Sequence, residues 1–392
     1  MKILVFSHQL EMGGGLVNAI ELAATLRDIH GHEIVFFATP GPMLKLVEEK
    51  CLRFIPAPAV QSHPSPMRMR MLREVVQREH PDLIHAWEWY QCLDAYYVEH
   101  LLKRVPLVVT AMVMGVPRLL PKALPITFGT PELVDQATAA GYRRVGLLVP
   151  PVDVTQNAPG AIDPQSFRVE YGIKQGDITL VTVSRLNKYM KGESLRRTID
   201  VVRRLGRELP LRFIIVGDGD ADAELKRLAR ETNSELGRTA IVLTGALLDP
   251  RPAYAAADIF IGMGGSALRA MAFGKPVVIV GARGFSVPFT PETAEAFYYK
   301  GIYGVGDGSS DNTRLIRAIL EFAKHPNQIL ALGEFSRQFV IEHFGLEKVS
   351  AKFSEFCHFA VAHQPRLHIA VADGLRTATI WIRERRWVSH GC

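Results

Sequence analysis

The chain has 392 residues, 48% of them hydrophobic and 22% charged, with 32 glycines and 24 prolines. That composition excludes collagen-like, coiled-coil and disordered classes, and the length exceeds the roughly 250–300 residues at which a single core stops growing, so two domains are expected. Lys plus Arg number 46 against 40 Asp plus Glu, and the net charge of +6 suits anionic small molecules or an anionic membrane surface but is too diffuse to argue for nucleic acid.

The first apolar run is too short for a signal peptide and reads as a strand over residues 3–6. Further strands are expected at 33–37, 83–85, 107–110 and 145–149, with helical patterns such as 16–28 and 67–79 between them. The longest apolar stretch, 107–116, is interrupted by Thr110 and Gly115 and falls short of the about 20 residues that a bilayer span requires. Residues 150–176 are rich in proline and glycine and read as a linker. The second half repeats the scheme, with strands expected at 179–183, 212–216, 241–243, 258–261 and 277–280. Strand–helix alternation of this kind means parallel sheets covered on both faces, hence an α/β protein of two doubly wound, Rossmann-like domains. In the tail, Asp373-Gly374 between two apolar runs predicts a hairpin turn. Five arginines with Trp381 and Trp387 interleaved then read as a small appended hairpin with a solvated basic face, ahead of a membrane or partner contact. The four cysteines (Cys51, Cys92, Cys357 and Cys392) form no CxxC pair, so neither a disulfide framework nor a structural zinc site is encoded, and a reducing, cytoplasmic setting fits.

Open parallel sheets bind ligands beyond the carboxyl ends of their strands. A glycine-rich loop stands there in each half: Gly13, Gly14 and Gly15 after the first strand, and Gly262-Met263-Gly264-Gly265-Ser266 after residues 258–261. Glycine admits close approach of a ligand, and helix N-termini favour anions. Neither loop has the GxGxxG or Walker A spacing. Arg185 and Lys191, six apart in SRLNKYMKG at a strand end, could hold a diphosphate by charge-assisted hydrogen bonds, or could be solvated loop residues. At residues 83–90, His85 with Trp87, Glu88, Trp89 and Tyr90 offers stacking and hydroxyl-accepting groups for a saccharide, with His85 read at a strand end facing the ligand. His8 is a further candidate acceptor contact. Asp218-Gly219-Asp220 mimics a metal-binding pair, but no metal and no cofactor are expected. Met67 to Arg73 alternates apolar and cationic residues and is taken for a solvated helix start.

VSRLNKYMKG, VGDGDADAELKRLA, YAAADIF and AMAFGKPVV together resemble the GT-B glycosyltransferases of family 4 (glycosyl transferases group 1), across nearly the whole chain and most strongly over 181–344. The resemblance implies two domains facing across a cleft: 1–155 on the acceptor side, 170–345 for the nucleotide-sugar donor, and a segment 346–392 whose helix crosses back to the first domain. It implies a retaining transfer of a sugar from a nucleotide-diphosphate sugar to a hydroxyl acceptor, small-molecule, saccharide or lipid-linked. Arg185 and Lys191 would then act on the diphosphate, with His85 as a further catalytic candidate. Gly217, Gly262, Gly264, Gly265, Ser266 and Arg269 would bind donor, and His8, Gly13, Gly14, Gly15, Trp87, Glu88 and Trp89 the acceptor. The sequence departs from the family pattern at two places. The paired glutamates of E-x7-E fall on Ile261 and Arg269, and the usual histidine after the fifth strand falls on Met112. Arginine accepts no hydrogen bond, so Arg269 instead suggests a donor of extra anionic character. Two alternative readings stand beside the transferase: a catalytically lapsed protein that binds a nucleotide-sugar or a partner without turnover, and a sugar-nucleotide epimerase. A cytoplasmic setting is expected, with peripheral contact at the inner membrane face the less favoured partner.

Overall fold

Two series of short β-branched runs, each followed by an amphipathic segment, build two parallel sheets. The computed structural model describes residues 1–188, 191–309 and 311–388, the side chains at 326, 328 and 385–388 apart. Tyr189 and Met190 of the SRLNKYMKG segment, the Trp387 side chain and Cys392 therefore lie outside the described residues. The chain divides into two units, Met1–Pro151 with Leu346–Cys392, and Val152–Gly345.

In the first unit the strands are β1 (Lys2–Phe6), β2 (Glu33–Ala38), β3 (Arg53–Pro56), β4 (Leu83–Trp87), β5 (Leu107–Ala111), β6 (Pro125–Phe128) and β7 (Arg144–Leu147). They lie in the order β3-β2-β1-β4-β5-β6-β7, all neighbours parallel. Leu4, Phe6, Val35, Ile84, Val109 and Ile126 point from alternate positions into one apolar core. The helix Leu346–Ala362 returns to this unit. His30 and His32 meet Ser350 and Ser354 at 2.9 and 2.8 Å, and Phe353 packs tilted against His85 at 4.6 Å between ring centres.

The second unit carries β8 (Ile178–Val183), β9 (Leu211–Val216), β10 (Ile241–Gly245), β11 (Ile259–Gly262), β12 (Val277–Val280) and β13 (Ser286–Pro288). Their order is β10-β9-β8-β11-β12-β13, parallel except for the antiparallel β12–β13 pair. Leu180, Phe213, Ile215, Ile259 and Val278 centre its core. In both sheets the order reverses beside the leading strand, between β1 and β4 and between β8 and β11, and such reversal points are where open α/β sheets leave a crevice.

The tail is a helix, Leu367–Val388, and not the hairpin that Asp373-Gly374 predicts. The reason is tertiary. Asp373 accepts the Ala123 N–H at 2.8 Å and pairs with Arg376, while a Cβ on Gly374 would stand 3.1 Å from Leu101 and 3.4 Å from Tyr96. The two residues serve a helix seat rather than a turn. Among the described residues no helix is long and apolar enough to cross a membrane.

Candidate functional site

In the second unit, β8 runs out at Val183 into Ser184 and Arg185, and Lys191 caps the start of the helix Gly192–Leu205. Lys191 is half-buried and its ammonium is held below the usual lysine range, first by burial and then by the Arg185 guanidinium. The loop between them is fixed by the loop after β9. Leu186 N–H donates to Asp218 O at 2.7 Å and Lys188 N–H to Asp220 Oδ1 at 2.9 Å. Gly217 (φ 138°) permits this approach, because a Cβ there would lie 1.8 Å from the Ser184 carbonyl oxygen. Gly217 thus positions the Arg185 loop. Asp218 and Asp220 hold backbone amides, and no group of three or more His, Cys, Asp or Glu side chains is placed to bind a metal ion among the described residues.

Beside β8, β11 ends at Gly262 and the helix Gly264–Ala272 begins with no side-chain cap. Its glycines differ in kind. A Cβ on Gly262 would strike the Phe260 ring at 2.4 Å, whereas one on Gly264 would meet nothing within 4 Å. Gly264 takes the left-handed backbone (φ 61°) and its N–H donates to Ile302 O at 2.6 Å, so this amide is used internally. An anion at this helix start would therefore meet the N–H groups of Gly265 and Ser266 before that of Gly264. The Ser266 hydroxyl donates to Met263 O at 3.0 Å. Arg269, one turn on, is buried and donates from Nη1 to Gly265 O at 3.3 Å, so its guanidinium lies against the glycine turn. Helical side chains lean toward the N-terminus, which is why position 269 reaches position 265.

In the first unit, Ser7 and His8 follow β1, and the helix Gly14–Asp28 starts at Gly13, again without a side-chain cap. Added Cβ atoms on Gly14 or Gly15 would meet nothing within 4 Å. Ser7, like Ser184 at the matching place of the other sheet, keeps a buried hydroxyl with no hydrogen-bond partner among the described residues. No motif flags these two serines; only their place after the leading strand singles them out.

The segment 85–90 departs most from expectation. β4 extends through Trp87, so His85 is an interior strand residue and not a ligand-facing end. It is buried, with Nε2 2.7 Å from Thr110 Oγ1, which in turn meets Thr127 at 2.9 Å. Burial pushes its pKa down to about 3, so it is neutral and structural as placed. Trp87 is likewise buried in the core, which corrects its assignment to the acceptor. Trp89 packs on that core and stacks on Tyr90 at 3.7 Å, leaving Tyr90 the exposed ring. Glu88 has the unusual backbone, left-handed at φ 71°. Its Oε1 accepts the Met112 N–H at 3.0 Å, its Oε2 is buried without a partner among the described residues, and burial raises the carboxyl to about 7. The signal for that shift is invisible in sequence, because it depends on what covers the carboxyl.

Residues 12–111 match the family model described as Glycosyltransferase Family 4, and residues 177–296 the one described as Glycosyl transferases group 1. No curated protein matches the chain in sequence. Among solved structures, a glycosyltransferase from Rickettsia africae ESF-5 is similar at TM-score 0.72 and 16% identity, covering 92% of this chain and 99% of that one. Anabaena Alr3699/HepE in complex with UDP-glucose is similar at TM-score 0.70 and 17% identity, over 91% of this chain and 98% of its own. WaaG, a glycosyltransferase of lipopolysaccharide biosynthesis, is similar at TM-score 0.63 and 16% identity, over 91% and 99%.

Proposed function

We propose that this chain, which belongs to the GT-B glycosyltransferases of group 1 and family 4, moves a sugar from a nucleotide-diphosphate sugar to a hydroxyl acceptor with retention at the anomeric carbon. The observation that carries the reading is the placement of Arg185 and Lys191 in the loop that leaves the C-terminal end of β8, next to the strand β11 whose following helix, Gly264–Ala272, starts uncapped. Cationic side chains at a strand end attract a diphosphate leaving group, whose oxygens accept charge-assisted hydrogen bonds from them. As the anomeric C–O bond breaks, negative charge grows on the phosphate oxygens. Donors already fixed in place stabilise it without reorganising. The departing phosphate takes the proton of the attacking hydroxyl, so a side-chain base is not required. A uridine diphosphate sugar is the first donor to test, since the Anabaena neighbour holds UDP-glucose. The open ground around Gly14 and Gly15, with His8, Glu88 and Tyr90, is offered to the acceptor.

Calorimetry with UDP and GDP tests the diphosphate site. Arg185→Ala and Lys191→Ala should each weaken binding about 10- to 100-fold, the range of one charge-assisted contact. Unchanged affinity in both variants overturns the reading. Retention is read from the anomeric configuration of the product by NMR. A specific observation favours the lapsed protein as the second reading: Arg269, in place of the family's glutamate, spends its guanidinium on the Gly265 carbonyl. Tight diphosphate binding without donor hydrolysis or transfer across a broad acceptor panel would decide for it.

A further inference from the structure

The chain between β3 and the helix Pro66–Glu79 folds back on Glu88–Ala95, the helix that follows β4, and three contacts hold it. Ser65 N–H donates to Asp94 Oδ1 at 2.7 Å, Trp381 Nε1 donates to His63 O at 2.7 Å, and His63 Nδ1 meets Asp94 Oδ2 at 3.0 Å. The Asp94 carboxylate is wholly buried, and the buried Arg68 guanidinium lies within reach of its charge. The His63 side chain keeps 13% of its surface exposed. Its Nε2 has no hydrogen-bond partner among the described residues and is not closed off from water. Tyr90 stands one helical turn before Asp94 on the same face, with its ring centre 4.9 Å from that of the imidazole and 42% of the residue exposed.

A carboxylate only accepts hydrogen bonds, so the proton of the neutral imidazole is fixed on Nδ1 and the lone pair on Nε2 is left outward. Ser65 and Trp381 already fasten the backbone of this loop, so the ring is not needed for that. What the pairing adds is a tautomer, an acceptor of set direction beside an open aromatic ring. A pyranose matches it. The C–H face of the sugar covers apolar ring surface while a hydroxyl at its rim donates to the imidazole, the combination of aromatic wall and placed polar atom that orients a small ligand. An anion is a poor occupant, because Nε2 offers it a lone pair and no proton, and a lipid chain would leave the nitrogen unpaired. We propose that His63 Nε2 and Tyr90 form a saccharide subsite in the first unit, with Asp94 as the positioning residue that holds the tautomer. The role of that saccharide as acceptor rests on the transferase reading; the subsite itself does not.

The test is saturation-transfer NMR on the full chain with methyl α-glucopyranoside, methyl α-galactopyranoside and methyl α-mannopyranoside, joined to NMR of the histidine ring nitrogens. At least one glycoside should bind, and its affinity should fall roughly tenfold in His63→Phe and in Tyr90→Ala. In Asp94→Asn the Ser65 N–H keeps the amide oxygen, which turns the amide NH2 toward Nδ1. The ring proton then moves to Nε2, and glycoside binding should fall with it. Signals missing from His63→Phe identify the ring, which should carry its proton on Nδ1 in the wild type and on Nε2 in Asp94→Asn. Circular dichroism melts and UDP binding report on folding apart from the subsite; Tyr90→Ala, at the surface, keeps the test open if Asp94→Asn does not fold. Binding of none of the three glycosides, unchanged affinity in His63→Phe or in Tyr90→Ala, or a wild-type His63 protonated on Nε2 would each overturn the proposal. Failure of the transferase reading shows separately, as unchanged UDP affinity in Arg185→Ala and Lys191→Ala.

Discussion

At Gly217 the Cβ of any other residue would stand 1.8 Å from a backbone oxygen, and at Gly14 it would stand in open space. The two glycines therefore answer different demands, and substitution separates them. Gly217→Ala forces the Ser184–Arg185 loop away from β9 and should destabilise the second unit by more than about 2 kcal/mol, since a strained φ adds to the clash. Gly14→Ala sits at the start of a helix and should leave stability unchanged or raise it by up to about 1 kcal/mol. Its loss, if Gly14 keeps ground clear for a ligand, should appear in acceptor-dependent turnover alone. Denaturant unfolding together with steady-state kinetics checks both. Glu88 is the other residue whose environment makes a sharp prediction. Its folded carboxyl, raised to about 7 from 4.5, contributes stability that is whole below pH 4.5 and is lost as pH rises through 7. Glu88→Gln, which mimics the protonated form and keeps an acceptor for the Met112 N–H, should gain on the wild type over that window, by up to about 3 kcal/mol at pH 8. Equal differences in unfolding free energy at pH 4.5 and pH 8 would show that the carboxyl is not so desolvated.

Elements of five or six residues with a β-branched face were legible from periodicity alone. β1, β2, β5, β8 and β9 stand within a residue or two of their expected limits. Arg53–Pro56, Pro125–Phe128 and Ser286–Pro288 were not legible, because three or four residues containing a proline carry too little period to separate a strand from a loop. The misreading of residues 83–90 is of the same origin. Placing the end of β4 at His85 instead of Trp87 moved two buried side chains to a ligand-facing edge, and the core contacts of Phe353, remote in sequence, could not correct it. The tail shows the opposite fault. Asp373-Gly374 is a strong local hairpin signal, yet it is overruled by a seat that needs a small residue against Leu101 and an acceptor for an amide 250 positions away. Of the candidate site, the place of Arg185, Lys191 and the glycine turns just beyond strand ends was legible, because strand ends and the loops that follow them lie close in sequence. The internal use of the Gly264 amide and the raised Glu88 carboxyl were not, since both depend on distant partners.

At the scale of the molecule, the first unit is discontinuous, and this makes its stability depend on the last stretch of chain. Leu346, Val349, Phe353 and Cys357 of the helix Leu346–Ala362 are buried, with Phe353 on His85 and the two serines on His30 and His32. Each fully buried apolar side chain of this size contributes about 1.5–3 kcal/mol, so removing the helix withdraws an amount comparable to the whole stability of a typical domain, about 5–15 kcal/mol. It also leaves His85 and Thr110 open to water beneath the sheet. The second unit, Val152–Gly345, draws its core from its own residues and closes with the Val152 N–H donating to Phe344 O at 2.8 Å. A chain ending at Gly345 should therefore keep a cooperative unfolding transition for the second unit, and UDP at 100 times its dissociation constant should still stabilise that transition by about 2.7 kcal/mol. The transition of the first unit should be lost, with amides of β1, β4 and β5 exchanging freely in hydrogen-exchange measurements. Persistence of slow exchange in those strands would show that the first sheet holds together without the returning helix, and loss of the UDP-dependent transition would show that the proposed diphosphate site needs more than the unit that carries Arg185, Lys191 and the glycine turn.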